Sequence, residues 1–241
     1  MEDAMTHGTA GAGAAAAPER QRARGPWTPE DIRRGMFLYA VTDRAWLGER
    51  TLAQCVREAI AGGATFVQLR EKHLSTDEIV AEAAELIPLC RAARVPFLID
   101  DDVEAARLSG ADGVHVGQSD TACAEARRIL GPDAIIGVSA QTVEAALAAE
   151  AAGADYLGVG ALFGTPTKPD AVDVTFEELA RICAAVSIPV TAIGGLNLKT
   201  VGQLAGTGVD GAAVVSAIFA ADPIEPATRA LADAVAAALG R

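Results

Sequence analysis

Gln68, Arg70 and Lys72 occupy alternate positions in the run Gln-Leu-Arg-Glu-Lys (68–72). Alternate residues of an extended chain share a side, so an amide and two cations would face together. That set suits a diphosphate, with Arg as a planar fork and Lys as a point charge. An exposed, charged strand end would read the same way. Further along come Asp100-Asp101-Asp102 and, after His115-Val116-Gly117-Gln118-Ser119, Asp120. Carboxylates brought to one place can share a hard cation, and Mg2+ commonly takes one or two of them with phosphate oxygens and water. Asp102 and Asp120 equally suit helix N-caps. A single His115 inside an apolar segment suits a packed, hydrogen-bonded role.

Three more stretches carry suitable chemistry. Ser139 stands after an apolar segment, as a polar contact or an N-cap. The loop 163–169 holds Gly164, Thr165, Pro166, Thr167, Lys168 and Pro169, two hydroxyls and a lysine among stiffening prolines, and could close over an anion. Ile193-Gly194-Gly195 and Val214-Val215-Ser216 offer backbone N–H groups and a hydroxyl that can approach phosphate without net positive charge.

These clusters share a context: each follows a short apolar segment. The predicted strands are 36–42, 65–70, 97–99, 113–116, 134–138, 156–160, 190–193 and 212–215. They show little polar alternation, as expected of strands buried on both faces of a parallel sheet. Helical stretches separate them, most clearly 74–91 (with Ser75 and Thr76 as capping residues) and 142–152. Before the first strand, Thr28-Pro29-Glu30-Asp31 reads as an N-cap, a Pro at N1 and acids in the first turn of a short helix. A sub-repeat, Ala-Gly-Gly-Ala-Thr (61–65), Ser-Gly-Ala-Asp (109–112), Ala-Gly-Ala-Asp (152–155) and Thr-Gly-Val-Asp (207–210), precedes four of the strands. Its glycine suits a helix C-terminus at positive φ. Eight strands separated by helices predict a single (β/α)8 TIM barrel over 28–241, with the chemistry at the C-terminal strand ends. An open, doubly wound sheet is the alternative, but no GxGxxG follows the first strand.

Composition sets the bounds. The 241 residues match one barrel, and a 51% hydrophobic fraction supports a large core. With 4% aromatics, that core is expected to consist of Ala, Val, Leu and Ile. A net charge of −12 argues against nucleic acid and anionic membranes as partners, so bound phosphates need local capture. Cys55, Cys90, Cys123 and Cys183 form no CxxC pair, which predicts no disulfide framework and fits a reducing cytoplasm. Residues 1–27, rich in Ala, Gly and Arg, are expected to be a disordered N-terminal extension without a secretion signal. The sequence leaves open whether copies of the chain form a homo-oligomer.

Six runs together resemble the thiamine phosphate synthase family: Tyr-Ala-Val-Thr-Asp (39–43), Gln-Leu-Arg-Glu-Lys (68–72), Gly-Val-His-Val-Gly-Gln-Ser-Asp (113–120), Gly-Thr-Pro-Thr-Lys (164–168), Ala-Ile-Gly-Gly (192–195) and Val-Ser-Ala-Ile (215–218). The resemblance extends in order from about residue 36 to about 222. It implies a transferase coupling 4-amino-2-methyl-5-hydroxymethylpyrimidine diphosphate to thiazole phosphate, giving thiamine phosphate and pyrophosphate. By resemblance, the run 68–72 (Gln68, Leu69, Arg70, Glu71, Lys72), Asp100, Ser139 and Lys168 would contact the pyrimidine diphosphate. Thr165, Pro166, Thr167, Gly195, Val215 and Ser216 would hold the thiazole phosphate, and Asp101 and Asp120 one Mg2+. Arg70, Lys72, Lys168 and Ser139 would carry catalysis. The family often has Asn where this chain has Asp100, and a carboxylate there would repel a diphosphate unless protonated or joined to the metal. Two other readings are a barrel that isomerises thiazole phosphate and a non-catalytic phosphate-binding barrel.

Overall fold

A computed structural model describes residues 27–117, 123–163 and 174–241. The strands are β1 (Leu38–Val41), β2 (Phe66–Leu69), β3 (Phe97–Asp100), β4 (Gly113–Val116), β5 (Ile135–Ala140), β6 (Tyr156–Val159), β7 (Val190–Ile193) and β8 (Gly211–Val214). Each pairs in parallel with its neighbours and β8 returns to β1, closing the (β/α)8 barrel expected from the sequence. The helices are α1 (Pro29–Gly35), α2 (Leu52–Ala61), α3 (Thr76–Ala93), α4 (Val103–Ser109), α5 (Cys123–Leu130), α6 (Val143–Ala151), α7 (Phe176–Ala185), α8 (Ser216–Phe219) and α9 (Ile224–Leu239). Between β7 and β8 the connection holds only a 3-10 turn, Val201–Leu204, where a helix was expected. Gly202, Gly206 and Gly208 in and beside that turn disfavour a longer helix.

The helix starts follow side-chain chemistry. Thr28, Thr51 and Ser75 each form a capping box with the residue three positions on, which satisfies backbone N–H groups of the first turn. Asp102 caps α4 as expected. Ser139 does not cap a helix: β5 continues to Ala140 through pairing with β6, and Thr142 caps α6 instead. Met36, predicted within the first strand, is the C-cap of α1.

The sub-repeat has a second physical role beyond its glycine. Gly63, Gly110, Gly153 and Gly208 all take positive φ, as the turn requires. The last residue of each repeat then accepts a backbone N–H from the preceding strand. Thr65 receives Leu38 at 2.8 Å, Asp112 receives Phe97 at 2.9 Å, Asp155 receives Ile136 at 2.8 Å, and Asp210 receives Val190 at 2.9 Å. The even strands thereby clamp the odd ones at the closed end of the barrel. Arg127 reinforces one clamp by donating to Asp155 at 2.6 Å, and Arg33 another by donating to Asp210 at 2.7 Å.

Between barrel and helices the core is mainly aliphatic. Inside the barrel the expectation of an Ala/Val/Leu/Ile core fails. There Tyr39, Phe66 and Tyr156 pack together with Met36, Leu98 and Ile135, and Ile32 of α1 plugs the end. A narrow barrel interior needs a few large side chains to fill it, so even a small aromatic complement concentrates there. All four cysteines are free, consistent with the absence of a disulfide framework.

Candidate active site

Above this aromatic layer lies a cavity of about 330 Å3, opening at the C-terminal strand ends. Gln68, Arg70 and Lys72 line one side of it, as their alternation predicts. Gln68 ends buried, and its Nε2 donates to Asp100 Oδ1 at 2.5 Å. Lys72 Nζ stands 2.9 Å from Asp100 Oδ2 and also donates to Asp101 Oδ2. Arg70 Nε lies 3.8 Å from Asp100 Oδ2, and the Arg70 backbone N–H donates to Thr42 Oγ1 at 3.0 Å. Leu69 and Glu71 do not line the cavity. Leu69 points into the packing between barrel and helices, and Glu71 pairs with Arg44 at 3.0 Å. The alternation that turns residues 68, 70 and 72 inward turns 69 and 71 outward.

Burial disfavours the charge on Lys72, but Asp100 and Asp101 more than offset this and hold its ammonium above the usual value. Asp100 is pushed upward by burial and by Asp101, against the pull of Lys72 and Arg70. Its carboxylate is therefore the hub on which Gln68, Arg70 and Lys72 converge. Asp101 adopts φ 63, which its short side chain tolerates, and its N–H donates to the His115 carbonyl at 2.8 Å. This turn sets the Asp101 carboxylate at the cavity wall. Among the described residues no three His, Cys, Asp or Glu side chains form a metal cluster. The hard carboxylate oxygens of Asp101 at the cavity wall suit a cation such as Mg2+, whose shell is commonly completed by phosphate and water.

Opposite the cations, Gly194 and Gly195 adopt φ 101 and 67. A Cβ on Gly194 would lie 2.6 Å from Ala161 Cα, so the backbone there is bare and closely packed. Val215 and Ser216 continue this wall. Ser139 faces the cavity from β5, and its Oγ is 3.0 Å from His115 Nε2. Asp120 and the predicted loop residues Thr165, Pro166, Thr167 and Lys168 lie outside the described residues.

A family model described as thiamine monophosphate synthase matches residues 38–218. The chain belongs to the thiamine monophosphate synthase family. Thiamine-phosphate synthase of Clostridium acetobutylicum is 48% identical over 198 residues, covering 82% of this chain and 94% of that protein. The Roseiflexus sp. protein of the same name is 47% identical over 206 residues, covering 85% and 87%. The solved structure of thiamine phosphate pyrophosphorylase from Pyrococcus furiosus superposes with a TM-score of 0.80 at 40% identity, covering 87% of this chain and all of that one.

The family resemblance assigned no role to four polar cavity residues, Tyr39, His115, Gln141 and Thr191, nor to Tyr156 in the aromatic layer beneath them. His115 is hydrogen-bonded as expected of a packed histidine, yet it also lines the cavity. Gln141 Nε2 donates to the Gly160 carbonyl at 3.4 Å. Thr191 is buried on β7, and its Oγ1 has no partner among the described residues. One signal was available: the chain holds two tyrosines, and both fall inside predicted strands. Among the described residues no helix is long and apolar enough to cross a membrane.

Proposed function

We propose that this chain couples 4-amino-2-methyl-5-hydroxymethylpyrimidine diphosphate to thiazole phosphate, forming thiamine phosphate and releasing pyrophosphate. The observation that carries the reading is the cavity's division into a wall carrying the Gln68 amide and the cations Arg70 and Lys72 and a neutral glycine wall at Gly194 and Gly195. Two phosphorylated ligands thus find two differently built anchors. Relatives named thiamine-phosphate synthase, 47–48% identical, support the same reaction.

The reaction is dissociative: the C–O bond to the diphosphate breaks first, and the thiazole nitrogen then attacks the methylene carbon. The electron-rich aminopyrimidine spreads the intermediate positive charge. No nucleophilic side chain or strong base is required, so this chain's residues bind, align and exclude water. Arg70, Lys72 and Lys168 take up charge that grows on the departing diphosphate. Gln68 orients its near end, and Ser139 contacts the pyrimidine. Gly195 and Ser216, with Val215 and the loop residues Thr165, Pro166 and Thr167, hold the thiazole phosphate. Asp101 and Asp120 would hold Mg2+, which supplies charge neutralisation at the diphosphate when bound. Asp100 belongs to the cation frame and keeps Lys72 and Gln68 in place.

The test is product formation from both substrates with and without Mg2+. Thiamine phosphate and pyrophosphate in equal amounts, dependent on the metal, are expected. Folded protein giving no product at saturating Mg2+ would overturn the proposal. Thiazole isomerisation without metal, or ligand binding without turnover, would support one of the other two readings.

A further inference from the structure

We propose that Tyr39, Tyr156 and His115 are positioning residues: they form a one-way hydrogen-bond relay that turns the Ser139 hydroxyl hydrogen away from the cavity and leaves its lone pairs to accept an N–H from the ligand. The ligand group would be an exocyclic amine on a planar base. That last step rests on the proposed reaction, whereas the relay stands on geometry alone.

Six side chains form a continuous chain across the barrel. From Asp100 it runs through Gln68 at 2.5 Å and Tyr39 at 2.6 Å to Tyr156 at 2.8 Å. It continues to His115 Nδ1 at 2.9 Å and from Nε2 to Ser139 at 3.0 Å. Its direction follows from donor capacity. Lys72 can only donate, so Asp100 accepts from it, and Asp100 also accepts the Gln68 N–H. The amide oxygen of Gln68 is then turned to Tyr39 and must accept. Tyr39 has one hydrogen and spends it there, so its oxygen accepts from Tyr156. Tyr156 has likewise spent its hydrogen and must accept from His115 Nδ1. With one hydrogen on the ring, that hydrogen sits on Nδ1, Nε2 is an acceptor, and Ser139 donates to it.

The packing is built around this arrangement. A Cβ on Gly137 would lie 2.1 Å from Tyr156 Cζ, and one on Gly158 would lie 3.1 Å from His115 Cε1. Both glycines leave room for the rings. Burial holds both tyrosine hydroxyls protonated far above their usual range, so each remains a single-hydrogen link. A hydrogen-bonding site of this kind rejects an analogue that cannot pair with it far more strongly than an apolar pocket does.

The first experiment reads the histidine tautomer by 15N NMR in the ligand-free chain, with the His115 signal assigned against His7→Gln and His73→Gln. A neutral ring protonated at Nδ1 is expected. Protonation at Nε2, or at both nitrogens, overturns the relay whether or not the chain has the proposed activity. In Tyr39→Phe, Tyr156 loses its acceptor and can donate to His115 instead, so the hydrogen should move to Nε2. An unchanged tautomer in a folded variant overturns the direction, and Tyr156→Phe, which should leave both tautomers populated, repeats the test if Tyr39→Phe does not fold. The second experiment compares inhibition by the 4-amino and 4-oxo hydroxymethylpyrimidine monophosphates. At least tenfold preference for the amine is expected in the natural chain, narrowing toward equal binding in Tyr39→Phe. Equal binding in the natural chain overturns the amine assignment. Failure of the coupling assay alone leaves the tautomer result standing and removes only the proposed reaction.

Discussion

Gly137→Ala tests whether the barrel floor and the reacting groups form one mechanical unit. Gly137 sits on β5 beneath the Tyr156 ring, and an added Cβ would fall 2.1 Å from Cζ and 2.3 Å from the hydroxyl oxygen. Ordinary carbon contacts begin near 3.5 Å, so the ring must retreat by about 1.4 Å or the strand must bend. Tyr156 holds Tyr39 at 2.8 Å and His115 at 2.9 Å, and a shift of that size takes both contacts beyond hydrogen-bonding distance. Overpacking costs about 1–3 kcal/mol, and two buried hydroxyl bonds add about 1 kcal/mol each or more. The expected loss is about 3–5 kcal/mol, or a Tm lower by roughly 6 °C or more for a domain of this length. Thermal melts should be run beside Gly202→Ala, where nothing lies within 4 Å of the added Cβ. That control should stay within about 0.5 kcal/mol of the natural chain. Coupling activity of Gly137→Ala should fall more than its folded fraction does, because His115 and Ser139 lose their alignment. A Tm within 2 °C of the control, with full activity, would refute the reasoning.

Four further outcomes are expected. Asp155→Ala should cost about 2–4 kcal/mol, since Ile136 loses its acceptor and Arg127 a charged partner, with Asp155→Asn costing less in denaturant titrations. Equal effects of the two variants would show that the carboxylate charge contributes nothing. Arg70→Ala and Lys168→Ala should each lower kcat with little change in stability, because their charges act on the departing diphosphate. A rise in KM alone would remove them from that role. Thr191→Val should be neutral or slightly stabilising in thermal melts, because the Oγ1 it removes has no partner among the described residues; a clear loss of stability would contradict this. Burial pushes the Cys90 thiol up to about 12, with Asp112 adding to it, so iodoacetamide at pH 8 should label this cysteine only in denaturant, as read by peptide mass.

Much of the molecule was legible in the order of its residues. Short apolar runs, capping residues and the Gly-containing sub-repeat predicted eight strands, because local propensity and burial on both faces leave period and punctuation in the chain. Residue alternation alone separated Gln68, Arg70 and Lys72 from Leu69 and Glu71, even though resemblance had grouped all five. What the sequence could not show is which distant side chains meet. Tyr39 and Tyr156 are 117 residues apart, and their hydroxyls come within 2.8 Å because β1 and β6 send inward-facing residues to the same small barrel interior. The same closure turned the last residue of each sub-repeat, Thr65, Asp112, Asp155 or Asp210, into an acceptor for a neighbouring strand, and turned Ser139 from a plausible cap into a cavity residue. It also made Asp100, an awkward neighbour for a diphosphate on sequence grounds, the hub that Gln68, Arg70 and Lys72 surround. Sequence carries local preferences and periods; barrel closure alone decides which lone pairs and hydrogens face one another.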